Sequence, residues 1–231
     1  MAKVIPELPE GWDVESFVLA KFLGKDANVL FIYNEDYSRI QKIVNMFGIS
    51  ATIMNDDIAE LEKARKFGFN VIVGNINAGG LDEINDKEYD YVVAEEIMHS
   101  ARYPGDFLKD IVRISKYAVI SNENKAYWKN RLKFLCSGSM YVKNQYNIIP
   151  DDNYAWFNGY PWTLTHKDII NLCTCNEFII RKGTIICSNG YIDNIYDIRS
   201  YPNMKAVKVY YLVTNDSTII PTGKLGGLRA I

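Results

Sequence analysis

Val29-Leu30-Phe31-Ile32-Tyr33-Asn34-Glu35-Asp36-Tyr37 decides how this chain folds and what its first loop can hold. Four apolar residues run unbroken and stop at a polar, acidic turn, as a strand buried on both faces does. Helical spacing follows at once, with Ile40, Ile43, Val44 and Phe47 recurring before Gly48. A strand that feeds directly into a helix is the opening unit of a parallel α/β sheet. In such sheets the first strand-to-helix turn is where the backbone meets a nucleotide, and glycine allows that close approach. No glycine lies between Val29 and Tyr37.

The same unit repeats downstream. Ile49 to Met54 reads as a second strand, and Ile58, Leu61 and Ala64 mark a helix ending near Gly68. Asn70 to Val73, Tyr89 to Ala94 and Tyr117 to Ser121 read as strands three to five. A helix carrying Phe107, Leu108, Ile111 and Val112 precedes the fifth. Upstream, Asp13 caps a helix over Val14, Phe17, Val18 and Phe22 that ends at Gly24. This alternation predicts right-handed crossovers and helices on both faces of a parallel sheet.

The second half changes character. Lys125 to Leu135 reads as a basic-faced helix broken by Ser137-Gly138-Ser139, and Tyr141 to Pro161 is rich in Tyr, Trp, Asn and Asp without a period. Thr165 and Asp168 form a capping box that opens a helix through Cys173. Glu177 to Cys187 and Lys205 to Val213 alternate as an antiparallel pair at the sheet edge, which makes seven strands. One domain over residues 1–213 is expected, with an insert or cap at about 125–164 and a tail over 214–231. Gly223-Lys224-Leu225-Gly226-Gly227 in that tail lacks the spacing and the Ser/Thr of a phosphate loop.

Composition narrows the function classes. The 231 residues are 48% hydrophobic, enough for a full core, and the net charge of −2 comes with basic residues spread along the chain. That argues against a nucleic-acid binder. The first residues have two prolines and no apolar signal core, and no run reaches the roughly 18–20 apolar residues of a membrane span. Cys136, Cys173, Cys175 and Cys187 are too few and too clustered for a disulfide scaffold, so a reduced, cytoplasmic protein is expected. Residues two apart on a helix diverge, so Cys173 and Cys175 do not make a metal pair, and two histidines exclude a histidine-rich centre. The absence of G-x-S-x-G argues against a serine hydrolase.

Several residues fall where chemistry is expected. Glu95 and Glu96 follow the fourth strand, where a catalytic group would point into the cleft, and His99 is close behind. Adjacent carboxylates diverge, however, and a solvated loop is the commoner explanation. Lys129, Arg131 and Lys133 line one helix, as an anion site or a solvated face. Tyr154, Trp156, Phe157, Tyr160 and Trp162 read as a substrate pocket, a lid or a protein interface. Asn158-Gly159-Tyr160-Pro161 is not the N/D-P-P-Y/F motif of amino methyltransferases.

Tyr117-Ala118-Val119-Ile120-Ser121, then Tyr127-Trp128-Lys129-Asn130-Arg131-Leu132, then Gly138-Ser139-Met140, closely resemble the methionine biosynthesis protein MetW family. Thr165-His166-Lys167-Asp168 leading to Leu172-Cys173, Tyr89-Asp90-Tyr91-Val92-Val93 and Val112-Arg113-Ile114 extend the resemblance over about residues 28–180. It implies a Rossmann-like class I fold of S-adenosylmethionine (SAM) methyltransferases, with a mostly parallel seven-stranded sheet and an antiparallel edge pair. It also implies a link to methionine synthesis and association with a homoserine acyltransferase. The departures fall on the cofactor positions. Where the family opens with V-L-D-L-G-C-G-D-G, its aspartate is Phe31 here and its glycines are Tyr33, Glu35 and Tyr37. The ribose-holding acid aligns with Asn55, with Asp56 and Asp57 one and two residues away, and the adenine-facing aspartate aligns with Asn75.

Tyr33 and Tyr37 are expected to place two rings where the methionine arm of SAM would lie. The site positions Tyr33, Asn34, Glu35, Asn55, Asp56, Asp57 and Asn75 therefore read as degenerate. The leading expectation is a scaffold without cofactor or metal that works through a protein partner, with Trp128, Arg131, Tyr154, Trp156, Tyr160 and Trp162 as its substrate or interface cap. A homo-oligomer is compatible with this; nucleic acid and membrane are not expected. One alternative is an active SAM-dependent methyltransferase on a small molecule, with Asp56 or Asp57 holding the ribose. Another is an enzyme or binder for a different ligand that uses Glu95, His99 and the aromatic cap.

Overall fold

Aspartates open the first three helices of the computed structural model, which describes residues 8–137, 164–195 and 201–218. Asp13 accepts from the Ser16 N–H at 2.7 Å ahead of α1 (Val14–Ala20), and Asp36 from the Arg39 N–H at 3.0 Å ahead of α2 (Tyr37–Phe47). Asp57 does the same for Ala59 at 2.8 Å ahead of α3 (Ile58–Lys66). Gly48 ends α2 in the left-handed conformation, φ 68°. Helix α4 (Pro104–Ile114) starts on a proline, α5 spans Trp128–Ser137, and α6 (His166–Cys175) opens with the Thr165–Asp168 capping box. A single turn, α7 (Pro202–Lys205), precedes the last strand.

The strands are β1 (Asn28–Ile32), β2 (Ser50–Asn55), β3 (Asn70–Val73), β4 (Tyr89–Glu95), β5 (Ser115–Glu123), β6 (Ile179–Cys187), β7 (Ile192–Asn194) and β8 (Ala206–Thr214). They form one sheet in the order β3-β2-β1-β4-β5-β8-β6-β7. The first five run parallel, and β8 inserts antiparallel between β5 and β6. The expected plan of five parallel strands and an antiparallel edge is thus present. Beyond the seven strands expected, β7 adds a short eighth that pairs Ile186 with Ile192. Three residues are too few to show an alternation.

Successive residues of the central strands enter opposite cores. Val29, Phe31, Ile53 and Val93 meet α1, α2 and α3, whereas Leu30, Ile32, Met54 and Val92 meet α4 and α6. All four of Val29 to Ile32 are fully buried, which is why that run carries no polar residue. At roughly 25 cal/mol per Å² of apolar surface, these two cores dominate the folding free energy.

A buried polar anchor fastens the top of β5. Asn124 donates to the carbonyls of Pro202, Asn203 and Ala206 and accepts from the His166 N–H. His166 is itself buried, and its Nδ1 shares a 2.8 Å hydrogen bond with the Tyr211 hydroxyl. Burial pulls the imidazole down to about 4 and holds the Tyr211 phenol well above its usual value. Between pH 6.5 and 4 the unfolded chain therefore takes a proton on His166 that the folded chain refuses. Its stabilising contribution is complete above pH 6.5 and falls by about 3 kcal/mol toward pH 4. Urea unfolding from pH 4 to 7 should show this slope in the parent, and His166→Gln should flatten it by about that amount.

Candidate functional site

At the C-terminal end of β1 the chain turns through Tyr33, whose φ of 50° is left-handed. An L-residue there costs about 1–2 kcal/mol relative to ordinary backbone. The turn thus keeps a glycine-like conformation with a tyrosine in it. The Tyr33 N–H donates to the Met54 carbonyl at 2.8 Å, and its hydroxyl reaches the Gly74 carbonyl at 3.3 Å. The side chain accordingly reaches across the ends of β2 and β3 and packs on the core that Ile72 and Ile76 also border. Burial, with the nearby Asp56 carboxylate, pushes its phenol up to about 12. Asp56 accepts from the Asn75 amide at 2.7 Å, so the three residues close this strip together.

Beside it, at the end of β4, Glu95 is saturated. Arg39 of α2 grips it with two hydrogen bonds of 2.9 and 3.0 Å, the Asn34 amide donates at 2.8 Å, and the Tyr210 hydroxyl of β8 at 2.7 Å. Each carboxylate oxygen receives two donors, which fills its lone-pair positions. The side chains are 7% exposed for Glu95 and 12% for Arg39. Burial works against the guanidinium's charge, but Glu95 outweighs it and raises Arg39 above its ordinary value. Arg39 Nε also donates to Ser16, whose hydroxyl donates to Asp13, so α1 joins the network. A carboxylate so committed is a structural anchor rather than an available base.

Glu96 goes elsewhere. Its φ of 55° turns the chain, and its carboxylate meets Lys208 Nζ at 2.6 Å. Lys208 is 10% exposed and also contacts Glu15 at 2.6 Å. Burial opposes its charge, yet the two carboxylates hold its ammonium above the usual value. His99, half-buried in the following turn, is lowered by burial and by Lys125, against the opposing pull of Glu96 and Glu123. Glu123 and Lys125 pair with each other. The two neighbouring glutamates therefore serve separate ion pairs.

Tyr37 departs from expectation. Its ring packs 5.7 Å from Phe67 and 6.4 Å from Phe69, and its hydroxyl donates to the Glu60 carbonyl at 3.1 Å. It belongs to the core beneath α2 and α3, so Tyr33 alone enters the cleft. Asn55 is buried, accepts from the Asp57 N–H at 2.9 Å and leaves its amide nitrogen without a partner. Asp57 caps α3, and Glu35 is exposed. Trp128 is exposed on α5, and Arg131 Nε donates to the Ala126 carbonyl. Tyr154, Trp156, Tyr160 and Trp162 lie outside the described residues. Reading the sequence missed Arg39, Tyr210 and Lys208. A tyrosine inside Val209-Tyr210-Tyr211-Leu212 was the available signal, since a buried phenol requires a hydrogen-bond partner. Among the described residues no group of three or more His, Cys, Asp or Glu could hold a metal ion, and no helix is long and apolar enough to cross a membrane.

The sheet order and the site at its carboxyl edge define a class I methyltransferase fold. A SAM-dependent methyltransferase from Methanosarcina mazei superposes with a TM-score of 0.54 at 15% identity, covering 85% of this chain and 95% of its own. One from Mesorhizobium loti gives 0.58 at 10% identity, covering 88% and 98%. A chain from the Haloferax volcanii complex of the Trm112 methyltransferase activator with its assigned methyltransferase gives 0.61 at 12% identity, covering 88% and 89%. No curated protein matches significantly. The model of the methionine biosynthesis protein MetW family matches residues 18–213, and the chain belongs to that family.

The residues at the aligned cofactor positions differ from those that the family resemblance implies for SAM. Asn55, aligned with the ribose-holding acid, presents a buried carboxamide, and the Tyr33 hydroxyl reaches the Gly74 carbonyl just beyond β3. If Arg39–Glu95 locks this edge, Arg39→Met or Glu95→Met alone should destabilise the fold by about 3–5 kcal/mol, since each leaves a buried charge unpaired. In urea unfolding the double variant should lose clearly less than the two single losses added together.

Proposed function

We propose that this MetW-family chain is a non-catalytic methyltransferase-fold protein that acts by binding another protein. The observation that carries the reading is the buried Arg39–Glu95 pair, closed over by Asn34 and Tyr210 where the cofactor loop would otherwise stand open. Tyr33 supports it by lying across the nucleoside strip. Partner binding is supported by α5, whose Trp128, Leu132, Phe134 and Leu135 are all exposed, Leu135 by 80%. The Haloferax volcanii neighbour, a chain of a complex with an activator protein, makes protein partnering of this fold concrete. The proposed organisation is one domain over residues 1–213, in which the insert at about 125–164 presents α5, followed by a tail over 214–231. The family resemblance points to a regulatory role in methionine synthesis with a homoserine acyltransferase as partner, in the cytoplasm.

Isothermal titration with SAM and S-adenosylhomocysteine, after checking that the purified chain carries neither, tests the reading. No binding up to millimolar ligand is expected. Micromolar binding would overturn it and favour an active methyltransferase with a remodelled loop. Asp56, exposed beside Tyr33, is the observation on that side. In that case Asp56→Ala should abolish binding, with Asp57→Ala weaker because its carboxylate caps α3.

A further inference from the structure

A second concavity, of about 490 Å³, opens between the starts of α1, α2 and β8 and the turn after β6. Neither Glu95 nor Tyr33 lines it, although Arg39 borders both the groove and the closed edge. Its size falls in the range of small-molecule sites, roughly 300–1,000 Å³.

Both charge signs face it, each with unused bonding capacity. Lys208 commits two N–H groups to Glu15 and Glu96 and keeps a third outside those ion pairs, with its ammonium 5.6 Å from the centre of the Tyr210 ring. Arg39 keeps an N–H beyond those given to Glu95, Ser16 and Tyr210. Both cations are about nine-tenths buried, so a free donor there is expensive to leave unmet. On the anionic side, Asp36 receives Ser38 and the Arg39 N–H on Oδ1, and Oδ2 has no donor among the described residues. Glu15 receives Lys208 on Oε2, and Oε1 likewise has none. Val14, Ile186 and Val207 give it an aliphatic wall, and Asp13, whose two carboxylate oxygens are taken by Ser16, and the turn after β6 make up the rest.

We infer that this groove binds a free α-amino acid with an aliphatic side chain. The ligand's carboxylate meets the spare donors of Arg39 and Lys208, its ammonium meets Asp36 Oδ2 and Glu15 Oε1, and its side chain lies on the aliphatic wall. A simple anion would satisfy the cations and leave the carboxylates exposed to it, and a simple amine would do the reverse. Only a zwitterion answers both, and its charges are added without disturbing the existing ion pairs. The inference does not depend on the partner reading.

The test is calorimetric titration of the full chain with L-leucine and L-valine, against 4-methylpentanoate, which lacks the amine, and 3-methylbutylamine, which lacks the carboxylate. Saturable binding of at least one amino acid is expected, with both analogues of leucine weaker by about tenfold or more. Asp36→Asn keeps the Oδ1 cap and removes the charge, and Glu15→Gln keeps an oxygen for Lys208. Each should weaken the amino acid by about tenfold and leave 4-methylpentanoate unchanged or tighter. Circular dichroism and melting temperature establish that each variant is folded; if one is not, the other decides. Absence of saturable heat with both amino acids overturns the inference. So does 4-methylpentanoate binding as tightly as leucine, or unaltered leucine affinity in both variants.

Discussion

The carboxylate of Glu95 sits at the end of β4 with hydrogen bonds from three separate parts of the chain, and the arrangement of the whole upper edge follows from satisfying it. A charge so nearly excluded from water is costly unless paired and fully hydrogen-bonded. Arg39 supplies the opposite charge from α2, Asn34 a donor from the turn after β1, and Tyr210 one from β8. Their convergence joins α2, the first turn and the antiparallel edge to one point. Such a pair specifies an arrangement more than it stabilises one, because an apolar set of the same shape would avoid the desolvation cost. Its persistence here suits a loop whose conformation must be held against strain.

That strain is local and visible. Tyr33 and Glu96, the first residues beyond β1 and β4, both have left-handed backbone, at φ 50° and 55°. Neither residue type favours it, and about 1–2 kcal/mol each is stored at the two turns that flank Glu95. Tyr33 recovers stabilisation by packing on the core and reaching the Gly74 carbonyl, and Glu96 by pairing with Lys208. The backbone at these turns takes a conformation that glycine favours, while the side chains make contacts that glycine cannot. A ligand entering here would displace those contacts as well as find its own.

How much of this was legible in the sequence depended on the range of the interaction. The caps at Asp13, Asp36, Asp57 and Thr165 and the stop at Gly48 act over a few residues, and they are written where they act. The unbroken run Val29 to Ile32 reported burial on both faces because each face has its own core. Tyr37 was readable too. It shares a helical stripe with Ile40 and Val44, and that spacing points it to the core, although alignment with a glycine position suggests the loop. Arg39 and Glu95 are 56 residues apart, and no local pattern marks their pairing. Likewise Lys208 finds Glu15 from 193 residues away, so one polar residue in an apolar strand was the whole signal. The site is made of such distant pairs, which is why its members were nameable and its geometry was not.

Helix α1 belongs to both charge networks, and this couples the two regions of the edge. Through Ser16 it supports Arg39, and through Glu15 it holds Lys208. A zwitterion bridging Glu15 to Asp36 would tie α1 to the start of α2, the segment that delivers Arg39 to Glu95. Occupation of the groove then favours the closed arrangement by whatever factor the ligand prefers it, and any event that separates Arg39 from Glu95 weakens the ligand by the same factor. A partner protein that grips α1 or the first turn would enter the same balance. The buried ion pair and the neighbouring groove thus share α1 and Arg39, so whatever acts on one acts on the other.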